Sequence, residues 1–188
     1  MELEIQIRRK SSKQMLYISI VSIIMMFAGL TSAYIISSAR EDWVSFKMPQ
    51  ALYISTALIF LSSIAYYLGL RSVKNGNTQY ASLWIVITLL LGVCFVYFQV
   101  QGFGELRDAG LYFAGKESVV SSALLVVISF AHLLHVAAGI IVLGYITTKM
   151  LRKKYSAQDT LGVELGGIFW HFVDILWIFL FIFFYFIT

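Results

Sequence analysis

Residues Val163 to Thr188 read VELGGIFWHFVDILWIFLFIFFYFIT, almost wholly apolar yet carrying Glu164, His171 and Asp174 in the first half. The run is long enough to cross a bilayer, since about 20 apolar residues span a hydrocarbon core about 30 Å thick. An aspartate near the centre of such a helix costs roughly 2.5–3.5 kcal/mol on insertion scales. A chain retains Asp174 there only where its carboxyl group finds partners. Function therefore turns on what Asp174 and His171 meet.

The rest of the chain has the same character. Apolar residues make up 60% of it and charged ones 13%, far from the balance of a water-soluble domain. Five stretches are apolar enough to span a membrane, at about 14–38, 50–70, 80–101, 119–149 and 163–188. The expected fold is all-α: one polytopic transmembrane domain over 1–188, a bundle of five helices with no room for a soluble catalytic module. Cys94 is the only cysteine, which excludes an internal disulfide and any cysteine-based zinc or iron–sulfur site.

Charge sorts by loop. Arg8, Arg9, Lys10 and Lys13 precede the first span, Arg71 and Lys74 follow the second, and Lys149, Arg152, Lys153 and Lys154 follow the fourth. The opposite side carries Arg40, Lys47, Arg107 and Lys116, mixed with Glu41, Asp42, Glu105, Asp108 and Glu117. The positive-inside rule then puts the N-terminus in the cytoplasm and the C-terminus outside. The net charge of +4 is thus read as topology and lipid-headgroup contact, with no nucleic-acid partner. The apolar run from Met15 to Ile36 exceeds the roughly 7–15 residues of a signal-peptide core and reads as a retained first helix. Asn75-Gly76-Asn77 predicts a tight turn between spans two and three, and Pro49 opens span two. Small residues inside the spans, such as Ser62, Ser63, Gly139, Gly166 and Gly167, read as sites of close helix packing.

All three histidines fall within spans. His132 and His135 are three apart on span four; His171 and Asp174 are three apart on span five, with Glu164 seven before His171. Such spacings share one helical face. At about 1.5 Å per residue, Asp174 sits roughly 16 Å from the start of its helix and His135 roughly 21 Å from the basic end of span four, so both pairs occupy one layer. Trp170 and Trp177, seven apart, flank the acidic residue. Three readings are open for this layer: a hydrogen-bonded lock that holds the bundle and a partner subunit, a proton or lipid role, or a metal or haem site with His135 and His171 as facing ligands.

Trp170-His171-Phe172-Val173-Asp174-Ile175-Leu176-Trp177, continued by Ile178-Phe179-Leu180-Phe181, resembles the WHFVDxxWxFLF signature of subunit III of the haem–copper oxidases. His132-Leu133-Leu134-His135-Val136 with Gly139 is similar to that family's HGLHVxxG segment, and Leu89-Leu90-Leu91-Gly92 with Phe98-Gln99 to its LLLG…FQ span. Leu61-Ser62-Ser63 and Ala28-Gly29-Leu30 with Ala33-Tyr34 resemble two further segments, so matches run in order over about 21–185. The resemblance implies an accessory subunit of a proton-pumping terminal oxidase that reduces O₂ to water, in the short five-helix form and in a bacterial inner membrane. It implies no cofactor in this chain, haem and copper in partner subunits, and bound phospholipid. It also implies direct contact with subunit I, subunit II in the same complex, and support of proton uptake. On that reading no residue is catalytic or binds metal, and His132, His135, Glu164, His171 and Asp174 form a structural, lipid or proton network. Three positions depart from the family: Ile23 and Gly102 stand where it carries glutamates, with Glu105 three residues beyond Gly102, and Leu133 replaces the glycine of HGLH. A subunit III serving a quinol oxidase is the near alternative. A free-standing transporter or scaffold is the distant one, although five spans show no internal repeat of the kind transporters carry.

Overall fold

The computed structural model describes residues 2–41, 43–44, 46–112, 120–152 and 160–187. Five helices follow one another: α1 (Glu2–Ser38), α2 (Gln50–Lys74), α3 (Thr78–Asp108), α4 (Val120–Leu151) and α5 (Leu161–Ile187). All five are long and apolar enough to cross a membrane. The expected ends at residues 119 and 188 lie outside the described residues, as do Asp42, Lys116, Glu117, Lys153 and Lys154 of the charge pattern.

Two helices outrun their apolar stretches. The basic segment before span one is itself helical, so α1 is 37 residues long; residues 2–13 contain no glycine or proline, and their Glu, Gln, Arg and Lys are good helix formers. Likewise α3 continues past the apolar run to Asp108. Where α2 and α3 stop, glycine stops them. Gly76, at φ 77°, donates to the Val73 carbonyl at 2.9 Å while Asn77 donates to Ser72 at 3.0 Å. Gly110, at φ 79°, repeats the arrangement with Arg107, and Leu111 with Leu106. Both are left-handed C-terminal caps that satisfy orphan carbonyls, and only glycine adopts that conformation without a Cβ penalty.

Neighbouring helices pack in the ring order α2, α3, α4, α5 and back to α2. Helix α1 stands outside this ring and packs only on α4 and α5 among the described residues, burying Phe27 and Tyr34. Helices α3 and α5 lie on a diagonal, bridged by large aromatic side chains. The outward surface is apolar, as lipid contact requires. Hydroxyls there fold back onto their own helix: Ser19 donates to the Met15 carbonyl at 3.0 Å and Ser22 to Ile18 at 3.2 Å.

Candidate functional site

The inner stripe of α5 buries Trp170, Val173, Asp174 and Trp177, at the i, i+3, i+4, i+7 spacing of one helical face. Trp170 Nε1–H donates to Ser62 Oγ of α2 at 3.0 Å. Its ring lies where a Cβ on Gly92 of α3 would come within 2.8 Å, and one on Gly139 of α4 within 3.0 Å. One side chain thus touches all three other helices of the ring, and two missing side chains make room for it. Trp177 Nε1–H donates to Thr56 Oγ1 of α2 at 3.0 Å. Its ring meets Phe95 edge-on at 5.5 Å and lies 5.2 Å from the His132 imidazole.

The ionisable residues divide into three groups. His171 Nδ1 shares a 2.6 Å hydrogen bond with Ser63 Oγ of α2 and meets the Tyr66 ring edge-on. Asp174 is 1% exposed and has no hydrogen-bond partner for either carboxyl oxygen among the described residues. On α4, His132 is equally buried, wedged between Phe27, Phe95 and Trp177, with neither ring nitrogen partnered among the described residues. His135 donates from Nδ1 to the carbonyl of Ala131 in its own helix at 2.7 Å and meets Phe27 of α1. At this level α4 and α5 therefore meet through aromatic contact, and the hydrogen bonds that α5 makes to a neighbouring helix run to α2.

Glu164 lies apart, at the basic end of the bundle. One carboxylate oxygen accepts from Lys13 of α1 at 2.8 Å; the other accepts from Thr160 at 3.0 Å and faces Lys74 of α2 at 3.8 Å. The pair ties the outlying α1 to the ring. The Lys13 side chain is 38% exposed and that of Glu164 16%, so solvent screens the attraction. Glu164→Gln is expected to loosen the first half of α1 by about 0.5–1 kcal/mol. The change should appear as faster amide exchange around Lys13 with α2–α5 unaltered.

Helix α2 supplies partners of which only Ser62 and Ser63 fall in a motif. Ser55 donates to the Leu52 carbonyl at 2.9 Å and accepts from Gln99 of α3 at 3.0 Å. Thr56 likewise donates to Leu52 at 2.7 Å and accepts from Trp177. Ser62 points to the Thr88 carbonyl of α3 and accepts from Trp170, while Tyr66 donates to the Val163 carbonyl of α5 at 2.8 Å. In Ser55, Thr56 and Ser62 the proton satisfies a carbonyl while a lone pair receives the neighbouring helix. The clustering of Ser55, Thr56, Ser62, Ser63 and Tyr66 in one span was the available signal.

The three departures acquire local explanations. A Cβ on Gly102 would fall 2.9 Å from the end of the Leu52 side chain, so a larger residue requires that side chain to shift. Glu105 accepts the backbone N–H of Gln50 at 2.8 Å, supplying from α3 the N-terminal acceptor that Pro49 lacks. Ile23 and Leu133 fill apolar positions against the two core clusters.

Among the described residues, no group of three or more His, Cys, Asp and Glu side chains could hold a metal ion. The class defined by this architecture is a polytopic α-helical membrane protein, with a histidine, aspartate and tryptophan layer where its helices cross. The family model described as cytochrome c oxidase subunit III matches residues 6–188, and the chain belongs to that family. A relative named cytochrome c oxidase subunit 3 from Thermostichus vulcanus is 32% identical over 178 residues, covering 92% of this chain and 86% of the relative. One of the same name from Corynebacterium diphtheriae is 29% identical over 172 residues, covering 87% and 82%. A relative named cytochrome bo(3) ubiquinol oxidase subunit 3 from Pseudomonas aeruginosa is 30% identical over 133 residues, covering 71% and 62%. The chain is accordingly a subunit III of a multi-subunit haem–copper oxidase of the respiratory chain, integral to the bacterial membrane.

Proposed function

We propose that this chain is an accessory subunit that packs against the catalytic subunit I, with subunit II in the same complex, and retains phospholipid. Haem and copper reside in those partners, and the basic end of the bundle faces the cytoplasm. The observation that carries the lipid reading is a pair of adjoining cavities that share Tyr145. The first is an apolar groove of about 480 Å³ between α1, α4 and α5, lined by Leu16, Val142, Gly166 and Phe169 among others. The second, about 330 Å³, is lined by Tyr145, Thr148, Lys149 and Arg152 at the end of α4. The Lys149 ammonium sits 4.7 Å from the centre of the Tyr145 ring, a placement that cation–π attraction favours. An acyl chain suits the groove, and an anionic headgroup suits two cations and a hydroxyl at the membrane surface, where each cation contributes about 1 kcal/mol.

Replacing both cations, as Lys149→Gln with Arg152→Gln, is expected to lower tightly held phospholipid per haem in the purified oxidase and to reduce the turnovers completed before inactivation. Unchanged lipid content and lifetime would overturn the reading. The Pseudomonas relative favours a second reading in which the electron donor is a quinol. A binuclear copper signal in subunit II of the purified complex would decide for cytochrome c.

A further inference from the structure

We propose that the outward seam between α2 and α5 is the face on which a transmembrane helix of subunit I docks, and that His171 Nε2–H donates a hydrogen bond to an oxygen on that helix. The inference rests on the reading that this chain packs against subunit I, and it names the face used.

Two stripes with a spacing of seven run along this seam: Tyr53, Phe60 and Tyr67 on α2, and His171, Ile178 and Tyr185 on α5. Such a spacing keeps side chains on one side of a helix. Three contacts set the stripes side by side. Tyr53 meets the Phe181 ring of α5 edge-on at 5.1 Å, Tyr53 and Tyr185 line one hollow, and Ser63, between Phe60 and Tyr67, bonds His171. Tyr53, Phe60, Tyr67 and Tyr185 are exposed and His171 is half-buried. Helix α1 packs on α4 and α5 but not on α2, so among the described residues no helix covers this seam.

The imidazole selects the occupant. Ser55, Thr56 and Ser62 each give their hydroxyl proton to a carbonyl, whereas Ser63 has no carbonyl acceptor among the described residues. The single Ser63 proton therefore goes to His171 Nδ1, and the neutral ring carries its own proton on Nε2. Among the described residues Nδ1 alone of the two ring nitrogens is hydrogen-bonded. His171 lies about 15 Å from the start of α5 and Ser63 about 16 Å from the end of α2, near mid-depth of a hydrocarbon core about 30 Å thick. Lipid tails offer no acceptor there, so an acyl chain in the seam leaves the N–H unsatisfied. A transmembrane helix supplies the oxygen from a hydroxyl, amide or carboxyl side chain. At the outer end of the seam, the hollow of about 380 Å³ that Tyr53 and Tyr185 line also holds Lys47, a cation that suits an acidic side chain on the same partner.

The test is photo-crosslinking in the intact purified oxidase, with a benzophenone-bearing phenylalanine in place of Phe60 or, separately, of Val93. Val93 is exposed on α3 at a similar depth. The probe at Phe60 is expected to link to a transmembrane segment of subunit I, identified by mass spectrometry, and the probe at Val93 to lipid. Capture of lipid alone from Phe60, or of subunit I from Val93 in its place, would overturn the proposal. His171→Leu is expected to lower retention of the chain in the detergent-solubilised oxidase about threefold, the usual size of an interhelical hydrogen bond in a membrane. His171→Gln, which keeps an N–H near the Nε2 position, should restore most of it. Wild-type retention in the Leu variant, or equal loss in Leu and Gln, would remove the hydrogen bond from the interface. Co-purification of subunit I with the unaltered chain decides separately whether the two pack together, so a wrong face is distinguishable from a wrong partner.

Discussion

Trp170→Ala is expected to destabilise the bundle by about 3 kcal/mol, the low end of the range for truncating a buried aromatic in a soluble core. The low end applies because lipid tails are as apolar as the protein interior. Part of the usual cost, the transfer of apolar surface from water, is therefore absent. What remains is contact and hydrogen bonding. The indole fills the hollow left by Gly92 and Gly139 on two helices and donates to Ser62 on a third. Its removal opens a cavity where three interfaces converge, and a loss of about 3 kcal/mol changes an equilibrium roughly 150-fold. The measurement is retention of the chain in the detergent-solubilised oxidase as temperature rises. Trp170→Phe refills most of the hollow and forfeits the hydrogen bond, worth about 1 kcal/mol, so it should fall between wild type and Ala. Equal retention of all three proteins would mean that Trp170 is not the keystone of the ring.

The five spans were legible because the bilayer selects for length and apolarity, and both are properties of a local window. Helix ends were less so: the segment Glu2–Lys13 is polar, which excludes it from hydrocarbon, yet nothing in it stops a helix. The same limit applied to the site. Spacing within α5 put Glu164, His171 and Asp174 on one face with Trp170 and Trp177 flanking the acid, whereas the buried stripe carries Trp170, Asp174 and Trp177 without His171 or Glu164. Spacing alone could not say which helix faces that stripe, since α2 and α5 are remote in sequence and their relative rotation depends on every other contact. His132 and His135 looked like the natural partners because they share the depth and the chemistry. The hydroxyls of α2, which resemble mere small packing residues, receive Trp170, Trp177 and His171 instead. Glu105 was similarly open: only the fold shows its carboxylate reaching the start of α2.

Asp174→Ala is expected to separate what this carboxyl does for the chain from what it does for the complex. For the chain alone, removing an unpartnered carboxyl from hydrocarbon relieves an insertion cost of roughly 2.5–3.5 kcal/mol. A buried polar group without partners is itself destabilising, so the isolated subunit should insert and fold at least as well. If stability were the whole role of the residue, the variant oxidase would be indistinguishable from wild type or sturdier. The carboxyl instead sits on the buried stripe of α5 between Trp170 and Trp177, whose indoles hold α5 to α2. The purified variant should keep normal haem spectra, because no haem is assigned to this chain, while losing the subunit or inactivating after fewer turnovers. Asp174→Asn preserves size and hydrogen-bonding capacity but cannot take up a proton. It should restore subunit content if the role is positional, and leave the lifetime short if the proton matters. Full subunit content with a normal turnover lifetime in Asp174→Ala would refute both roles and reduce Asp174 to a tolerated cost.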